Sequence, residues 1–107
     1  MKKELNKIKK FSKDIIGKQN YKKIKKIKNQ EDRTESLKYL SASKLELKML
    51  ELEQKIKKVG KEKQKLLELK LILLPSKIKI FKSTFNKKDY LTIKKLINEI
   101  EGELKNV

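Results

Sequence analysis

A regular series of apolar residues in the middle of the chain constrains the fold more than any other feature. The series alternates spacings of four and three residues and then recurs at one heptad, which is the spacing of the apolar seam in a coiled coil. Its members are Leu45, Met49, Leu52, Ile56, Val59, Leu66 and Leu73. We predict one long amphipathic helix from about Leu37 to Leu74, which would extend about 57 Å at 1.5 Å per residue. Pro75 should end this helix, because proline lacks an N–H and disfavours helical geometry in the residue before it.

Two lysines interrupt this seam. Lys63 and Lys70 occupy the heptad positions between the later apolar residues. An ammonium group that is withdrawn from water needs an acidic neighbour. We therefore expect a partner helix, from this chain or from another protein, to supply acids at these two positions.

A second amphipathic helix is predicted over residues 89–106. Its apolar residues, also spaced by three and four, are Tyr90, Ile93, Ile97, Ile100 and Leu104. The acids Glu99, Glu101 and Glu103 fall near its end, where carboxylates are unfavourable for the helix dipole. Two interpretations are open: these acids face lysines of the central helix, or they are solvated.

The first part of the chain, residues 1–29, is predicted to be a basic helical segment. Its apolar residues recur every three or four positions, with Gly17 as a break. The polar stretch Asn29–Ser36 offers several helix caps, so a loop or a helix start is expected there. Between the two main helices, Ile78 and Ile80 alternate with lysines, which is a weak signal for extended chain.

The two main helices should pack against each other, because an isolated amphipathic helix is marginal in water. The predicted fold is all-α: a single domain over residues 1–107, built as an antiparallel helical hairpin or a small three-helix bundle with a long coiled-coil-like central helix. The last helix is less than half as long as the central one. Part of the seam is therefore left for the N-terminal segment, a second copy or another protein.

The charge of the chain is strongly positive. Lys and Arg number 31 against 14 Asp and Glu, a net charge of +17, and Arg33 is the only arginine. Coding in an AT-rich genome favours lysine over arginine, but it does not favour lysine over glutamate. The excess therefore points to a polyanionic partner, such as nucleic acid or an anionic surface.

The lysines cluster in runs at residues 22–28, 55–58, 61–65 and 77–82. Such runs neutralise phosphates and release counterions, which gives salt-sensitive and largely sequence-independent affinity. The predicted nucleic-acid-binding residues are Lys22, Lys23, Lys25, Lys26, Lys28, Lys55, Lys57, Lys58, Lys61, Lys63 and Lys65. Tyr21 and Phe81 lie beside basic runs and are candidates for stacking on unpaired bases.

The residue types do not support catalysis or metal binding. The chain has no histidine and no cysteine, which removes the usual general base, the common nucleophile pairs and nearly every transition-metal site. Its three glycines are isolated, so no phosphate-binding loop is present. We expect a non-enzymatic protein without cofactor, metal or small-molecule ligand. No window approaches the roughly 18 apolar residues of a membrane span, so we also expect a soluble, cytoplasmic protein without a transmembrane segment.

The segment KLLELKLILLPSK, residues 65–77, resembles the end of the N-terminal helical domain of class I peptide chain release factors. In that family a charged helix runs into a leucine-rich stretch that is closed by a proline. The resemblance implies a helical fold and a connection with translation. The family's Gly-Gly-Gln motif has no counterpart here, so the resemblance implies no functional residue.

Two functions remain open from the sequence. The first is a helical protein that binds a polyanion, RNA or the ribosome, through its lysine-rich faces. The alternative is a coiled-coil adaptor or structural subunit that docks on a partner helix, or associates with itself, through the seam from Leu45 to Leu73. In the second case the lysine excess reflects genome composition.

Overall fold

The computed structural model describes residues 11–105, and among them it contains helices and no strand, which confirms the all-α prediction. Residues 11–16 are helical, and five further helices follow. These are α1 (Lys18–Lys25), α2 (Gln30–Ile56), α3 (Lys61–Leu71), α4 (Leu74–Thr84) and α5 (Lys87–Lys105). The Cα atoms extend over 50 × 23 × 18 Å.

The helices form an elongated bundle in which α2 runs one way, α3 and α4 run back along it, and α5 runs parallel to α2. Glu53 of α2 lines a groove with Glu68, and Glu46 lines the next groove with Lys82, so the two chain directions are opposite. The large apolar side chains that are fully buried come from α2, α3, α4 and α5: Leu52, Ile56, Leu67, Leu74, Phe81, Ile93 and Ile100. A helical bundle was predicted, but its third part is α3 with α4 and not the N-terminal segment.

The start of α2 is fixed by a side-chain cap. The Asn29 side-chain oxygen accepts hydrogen bonds from the backbone N–H groups of Glu31 at 2.8 Å and Asp32 at 3.2 Å. Both acids lie in the first turn, where they also interact favourably with the helix dipole. The expected helix start within the polar stretch is confirmed, and it comes seven residues before the predicted start at Leu37.

The prediction of one continuous helix from Leu37 to Leu74 is wrong, because α2 ends at Ile56. Lys57 and Lys58 form a turn, and Gly60 is extended, with φ −60° and ψ 151°. Glycine in a helix interior destabilises it by about 1 kcal/mol relative to alanine. A single helix would leave much of its apolar surface in water, whereas the turn lets α3 pack back against α2 and bury Leu67.

Pro75 begins a helix instead of ending one. It lies in the first turn of α4, where its missing N–H removes no helical hydrogen bond of α4. The weak extended signal after it was misleading, because Ile78 and Phe81 belong to a buried stripe. That stripe runs at spacings of four and three through Leu67, Leu71, Leu74, Ile78, Phe81 and Phe85.

The predicted last helix is confirmed, although α5 begins at Lys87, two residues earlier than expected. The side-chain oxygen of Asn86 accepts a hydrogen bond from the N–H of Asp89 at 2.9 Å. The core face of α5 is formed by five buried residues, and Leu104 packs against the core as well. The five are Tyr90, Ile93, Leu96, Ile97 and Ile100. The end predicted at residue 106 lies outside the described residues.

The N-terminal segment packs on the bundle. Gly17 has a φ of 86°, a left-handed conformation that glycine adopts without strain, and it separates residues 11–16 from α1 as predicted. Phe11, Ile16 and Ile24 are buried. The part of the predicted basic segment before residue 11 lies outside the described residues.

Four aromatic rings meet where the N-terminal segment reaches α4 and α5. The Phe11 ring lies 5.9 Å from that of Phe81, 5.4 Å from that of Phe85 and 5.6 Å from that of Tyr90, between centroids. The Phe85 backbone is left-handed, with φ 46° and ψ 43°, and its ring is buried. Ring pairs at these distances stabilise a core by about 0.5–1.5 kcal/mol beyond their buried area.

Candidate nucleic-acid interface

Five lysines of α1 and of the turn that follows it form an exposed surface, which we call the α1 lysine surface (Lys22, Lys23, Lys25, Lys26 and Lys28). All five side chains are exposed, and none of them forms an ion pair within residues 11–105. The surface is held in place by the buried Ile24 and the half-buried Ile27, which face α2. Because its apolar residues are spaced by three, α1 buries one edge and presents lysines on the others.

Tyr21 lies at the base of this surface. The Lys13 ammonium group lies 5.8 Å from the centre of its ring, and that of Lys25 lies 5.4 Å from it. Such cation–π contacts are worth about 0.5–1 kcal/mol at exposed sites and place both charges beside one ring. Partial burial also raises the pKa of the Tyr21 hydroxyl. The stacking of Tyr21 on bases stays a prediction. The observed contacts of its ring are with Lys13 and Lys25.

Lys82, which belongs to the fourth lysine run but is not among the predicted nucleic-acid-binding residues, joins this end of the molecule. The Lys82 ammonium group lies 5.5 Å from the centre of the Tyr39 ring. Tyr39 in turn lines a groove with Lys23 and Ile27. Because 43 positions separate Lys82 from Tyr39 in the sequence, only the return of the chain along α2 reveals their proximity.

The second predicted set of lysines lies at the other end of α2. Lys55, Lys57, Lys58, Lys61 and Lys65 are exposed. Lys57 forms an ion pair with Glu53 at 4.0 Å, while the other four have none within the described residues. Helix α2 has 27 residues and is therefore about 40 Å long, so the two lysine sets are separated by roughly that distance.

Lys63 does not belong to an open basic surface. Its ammonium group lies 3.7 Å from a carboxylate oxygen of Glu103. Lys70 pairs with Glu99 at 4.0 Å, and Lys48 pairs with Glu101 at 3.4 Å. The expectation that acids of the last helix face lysines of the central region is therefore confirmed.

Phe81 is wrong as a base-stacking candidate. Its side chain is fully buried and contacts the rings of Phe11, Phe85 and Tyr90. A nucleobase could reach it only if the aromatic cluster opened. The sequence signal that could have placed it in the core is the four-and-three spacing of Leu74, Ile78, Phe81 and Phe85.

The predicted helix-pairing seam divides into two groups. Most of its members pack inside the bundle: Leu45, Leu52, Ile56, Tyr90, Ile93, Ile97 and Ile100 are buried, and Met49, Val59 and Leu104 are partly buried. Leu66 and Leu73 do not pair inside the bundle, because they are 64% and 49% exposed, and their pairing with a partner helix stays a prediction. The turn at residues 57–60 reverses the chain direction, and α3 then packs on α2 with Leu67 toward the core and Leu66 toward the outside.

The described residues hold no cluster of acids that could bind a metal ion. Within residues 11–105, no helix combines the length and apolar character that crossing a membrane requires. The grooves between helices are lined by mixed apolar and charged residues, as where Leu50, Pro75 and Lys79 meet.

Comparisons with known proteins identify no relative. The sequence matches no protein-family model, and searches of curated proteins and of solved structures give no significant match. The resemblance of residues 65–77 to release factors stays a prediction.

Proposed function

We propose that the protein is a non-enzymatic RNA-binding protein that contacts structured RNA, such as that of the ribosome, through the α1 lysine surface. One observation carries this proposal. The lysines that face α5 are neutralised by glutamates, whereas the five of the α1 lysine surface are exposed and form no ion pair within the part of the chain that the structure describes. Unpaired like charges repel each other, and a polyanion relieves that repulsion.

The distance between the two exposed lysine sets favours an extended partner. Lys28 precedes α2 and Lys57 follows it, so the sets lie about 40 Å apart along the bundle. A small anion cannot contact both, whereas the phosphate backbone of a folded RNA can. Lysine binds phosphate as a point charge, so the affinity should depend on salt and little on base sequence.

Salt-dependent RNA binding tests the proposal. We expect a labelled RNA hairpin to bind the full chain, with log K falling linearly as log salt rises between about 50 and 500 mM. The variant Lys22→Gln/Lys25→Gln/Lys26→Gln should bind at least about tenfold more weakly at low salt. Its salt slope should be shallower by about one per lost phosphate contact. Fluorescence anisotropy measures both quantities.

The matched control removes the same charge from paired lysines. Lys48→Gln/Lys63→Gln/Lys70→Gln lowers the net charge by the same amount, but these side chains face glutamates of α5. We expect its RNA affinity to stay within about threefold of wild type. Equal losses in both variants would assign binding to overall charge. Affinity that does not change with salt would contradict the proposal entirely.

A further inference from the structure

The outward side of α3 and α4 carries an unusual row of exposed apolar side chains. Leu66 and Leu69 are each 64% exposed, and Leu73 is 49% exposed. Ile80 follows one heptad after Leu73 and is 52% exposed, while Ile72 beside them is 70% exposed. We call these five residues the α3 outer face. A contiguous apolar surface of this kind on a monomer is typical of an interaction site.

The α3 outer face runs across the junction of two helices without a sharp change of direction. Ile72 and Leu73 keep right-handed helical backbone angles, with φ and ψ of −58° and −27° for Ile72 and −75° and −21° for Leu73. The N–H of Ile72 still donates to the carbonyl of Glu68 at 3.0 Å. From Leu66 to Ile80 the face is therefore about 21 Å long, or four helical turns.

The spacing along the face fits a helical partner. Leu66, Leu69, Leu73 and Ile80 lie at heptad-related positions, which is the pattern that packs against the apolar stripe of another helix. Ile72 extends the face toward the groove between α2 and α3, where Met49 and Pro75 lie. A partner helix can place side chains into such a groove.

The charges around the face favour an acidic partner. Lys61, Lys65, Lys77 and Lys79 of α3 and α4 form no ion pair within the described residues, whereas Glu62 and Glu68 are the only acids of these two helices. Lys65 and Glu62 lie among the leucines of the face, as judged from the helical period. An acyl-chain environment would disfavour both charges, and a protein helix can pair them.

Other occupants from this chain would be repelled. A second copy would bring another +17 of charge and the same lysines to the interface. Residues 1–10 hold five lysines against one glutamate, so they too would add positive charge.

We propose that the α3 outer face docks an amphipathic helix of another protein, whose apolar stripe is flanked by glutamate or aspartate. The apolar row supplies the contact area. The four unpaired lysines select against basic helices and align the acidic one. The α3 outer face is flanked by Lys61 and Lys65, which also belong to the lysine set that follows α2, but it is separate from the α1 lysine surface. A docked helix therefore leaves the α1 lysine surface free for the polyanion.

A designed peptide tests this inference. The probe is a labelled helix of about three heptads with leucine at a and d and glutamate at e and g, which is monomeric at neutral pH because its glutamates repel. We expect saturable binding to the full chain, measured by anisotropy. Leu69→Ser/Leu73→Ser should weaken it about tenfold or more, because two leucines no longer leave water.

Two controls make the result specific. Leu47→Ser/Leu91→Ser removes leucines that are 53% and 48% exposed on α2 and α5, and it should bind the peptide like wild type. The same peptide with lysine at e and g should bind at least about tenfold more weakly. Circular dichroism checks that both double variants keep the wild-type helix content.

Four outcomes would overturn the inference. The first two are undiminished peptide binding by Leu69→Ser/Leu73→Ser and equal binding of the lysine peptide to wild type. The third is a wild-type dimer in sedimentation that Leu69→Ser/Leu73→Ser abolishes. The fourth is binding of wild type to phosphatidylglycerol vesicles that the same variant abolishes. The last two would assign the face to a second copy or to a membrane.

Discussion

The two ends of the bundle are held together by different chemistry. At one end, which we call the aromatic end, Phe11, Phe81, Phe85 and Tyr90 pack ring against ring and are buried. At the other, the ion-paired end, Lys48, Lys63 and Lys70 face three glutamates of α5 around an aliphatic core. Both ends contain α5, and the segment formed by α3 and α4 extends from one end to the other.

The ion pairs of α5 should therefore contribute less to stability than the aromatic rings do. Their carboxylates are between 34% and 50% exposed, so water and salt screen their attraction to the lysines. The aromatic end, by contrast, excludes water and gains from buried area. It also lies next to the α1 lysine surface, whose five lysines form no ion pair within residues 11–105.

The largest effect is expected at the aromatic end. Phe81→Ala should lower the free energy of unfolding by about 3–5 kcal/mol, because it leaves a cavity among the other rings. Phe81→Leu keeps most of the volume and should cost less, about 1.5 kcal/mol. Urea unfolding followed by circular dichroism measures both. The neighbouring Ile80→Ala, at a side chain 52% exposed, is the control and should change stability by about 0.5 kcal/mol or less.

A slightly smaller effect is expected for the aliphatic core at the ion-paired end. Leu67→Ala should cost about 2–5 kcal/mol, because Leu67 is 1% exposed. Leu66→Ala changes the adjacent leucine, which is 64% exposed, and should cost about 0.5 kcal/mol or less. Equal losses in the two variants would mean that α3 faces the core with a different side. The same urea titration compares them.

The ion pairs themselves should contribute little. Glu99→Gln/Glu101→Gln/Glu103→Gln should lower stability by about 2 kcal/mol or less at low salt, since exposed pairs are each worth about 0.2–1 kcal/mol. Removing these carboxylates from the last turns of α5 also relieves their repulsion with the helix dipole, which offsets part of the loss.

The control for charge is a second triple variant. Glu46→Gln/Glu51→Gln/Glu62→Gln gives the same net charge by changing exposed acids that have no ion pair within the described residues. The difference between the two triple variants isolates the pairs, and about 1 M salt should abolish most of it. A difference that persists in high salt would show that the glutamates act through packing.

The smallest effect concerns high pH at the aromatic end. Burial raises the pKa of the Tyr90 hydroxyl, and the Asp14 carboxylate adds to the rise. The folded state therefore holds this proton more tightly than the unfolded chain. Its contribution to stability is complete below the unfolded value of about 10 and is lost as the pH rises through the folded pKa.

Thermal unfolding between pH 8 and 11 tests this contribution. The melting temperature of wild type should fall more steeply above about pH 10 than that of Tyr90→Phe, which has no hydroxyl to titrate. Tyr39→Phe removes an exposed hydroxyl and should follow wild type. Parallel curves for wild type and Tyr90→Phe would show that the hydroxyl does not couple to folding.

Much of the fold follows from local signals. The cap at Asn29, the break at Gly17 and the stripe of α5 were all predictable, because each depends on residues a few positions apart. The pairing of Glu99, Glu101 and Glu103 with lysines was one of two interpretations that their unfavourable place at a helix end left open. The exposure of the α1 lysines was also predictable, because five lysines flank only two isoleucines and most of them must therefore face water.

The sequence alone determined that this chain is helical, basic and amphipathic, since helical period and charge are local properties. Only the tertiary structure decided which side of the leucine-rich stretch is buried. Apolar residues at six of the eight positions from Leu66 to Leu73 offer two stripes, one through Leu66 and Leu73 and one through Leu67 and Leu71. The second is buried because it continues beyond Pro75 into Ile78 and Phe81, and because the turn at Gly60 lets it reach α2. Burying that longer stripe removes from water apolar surface that a straight helix would leave exposed.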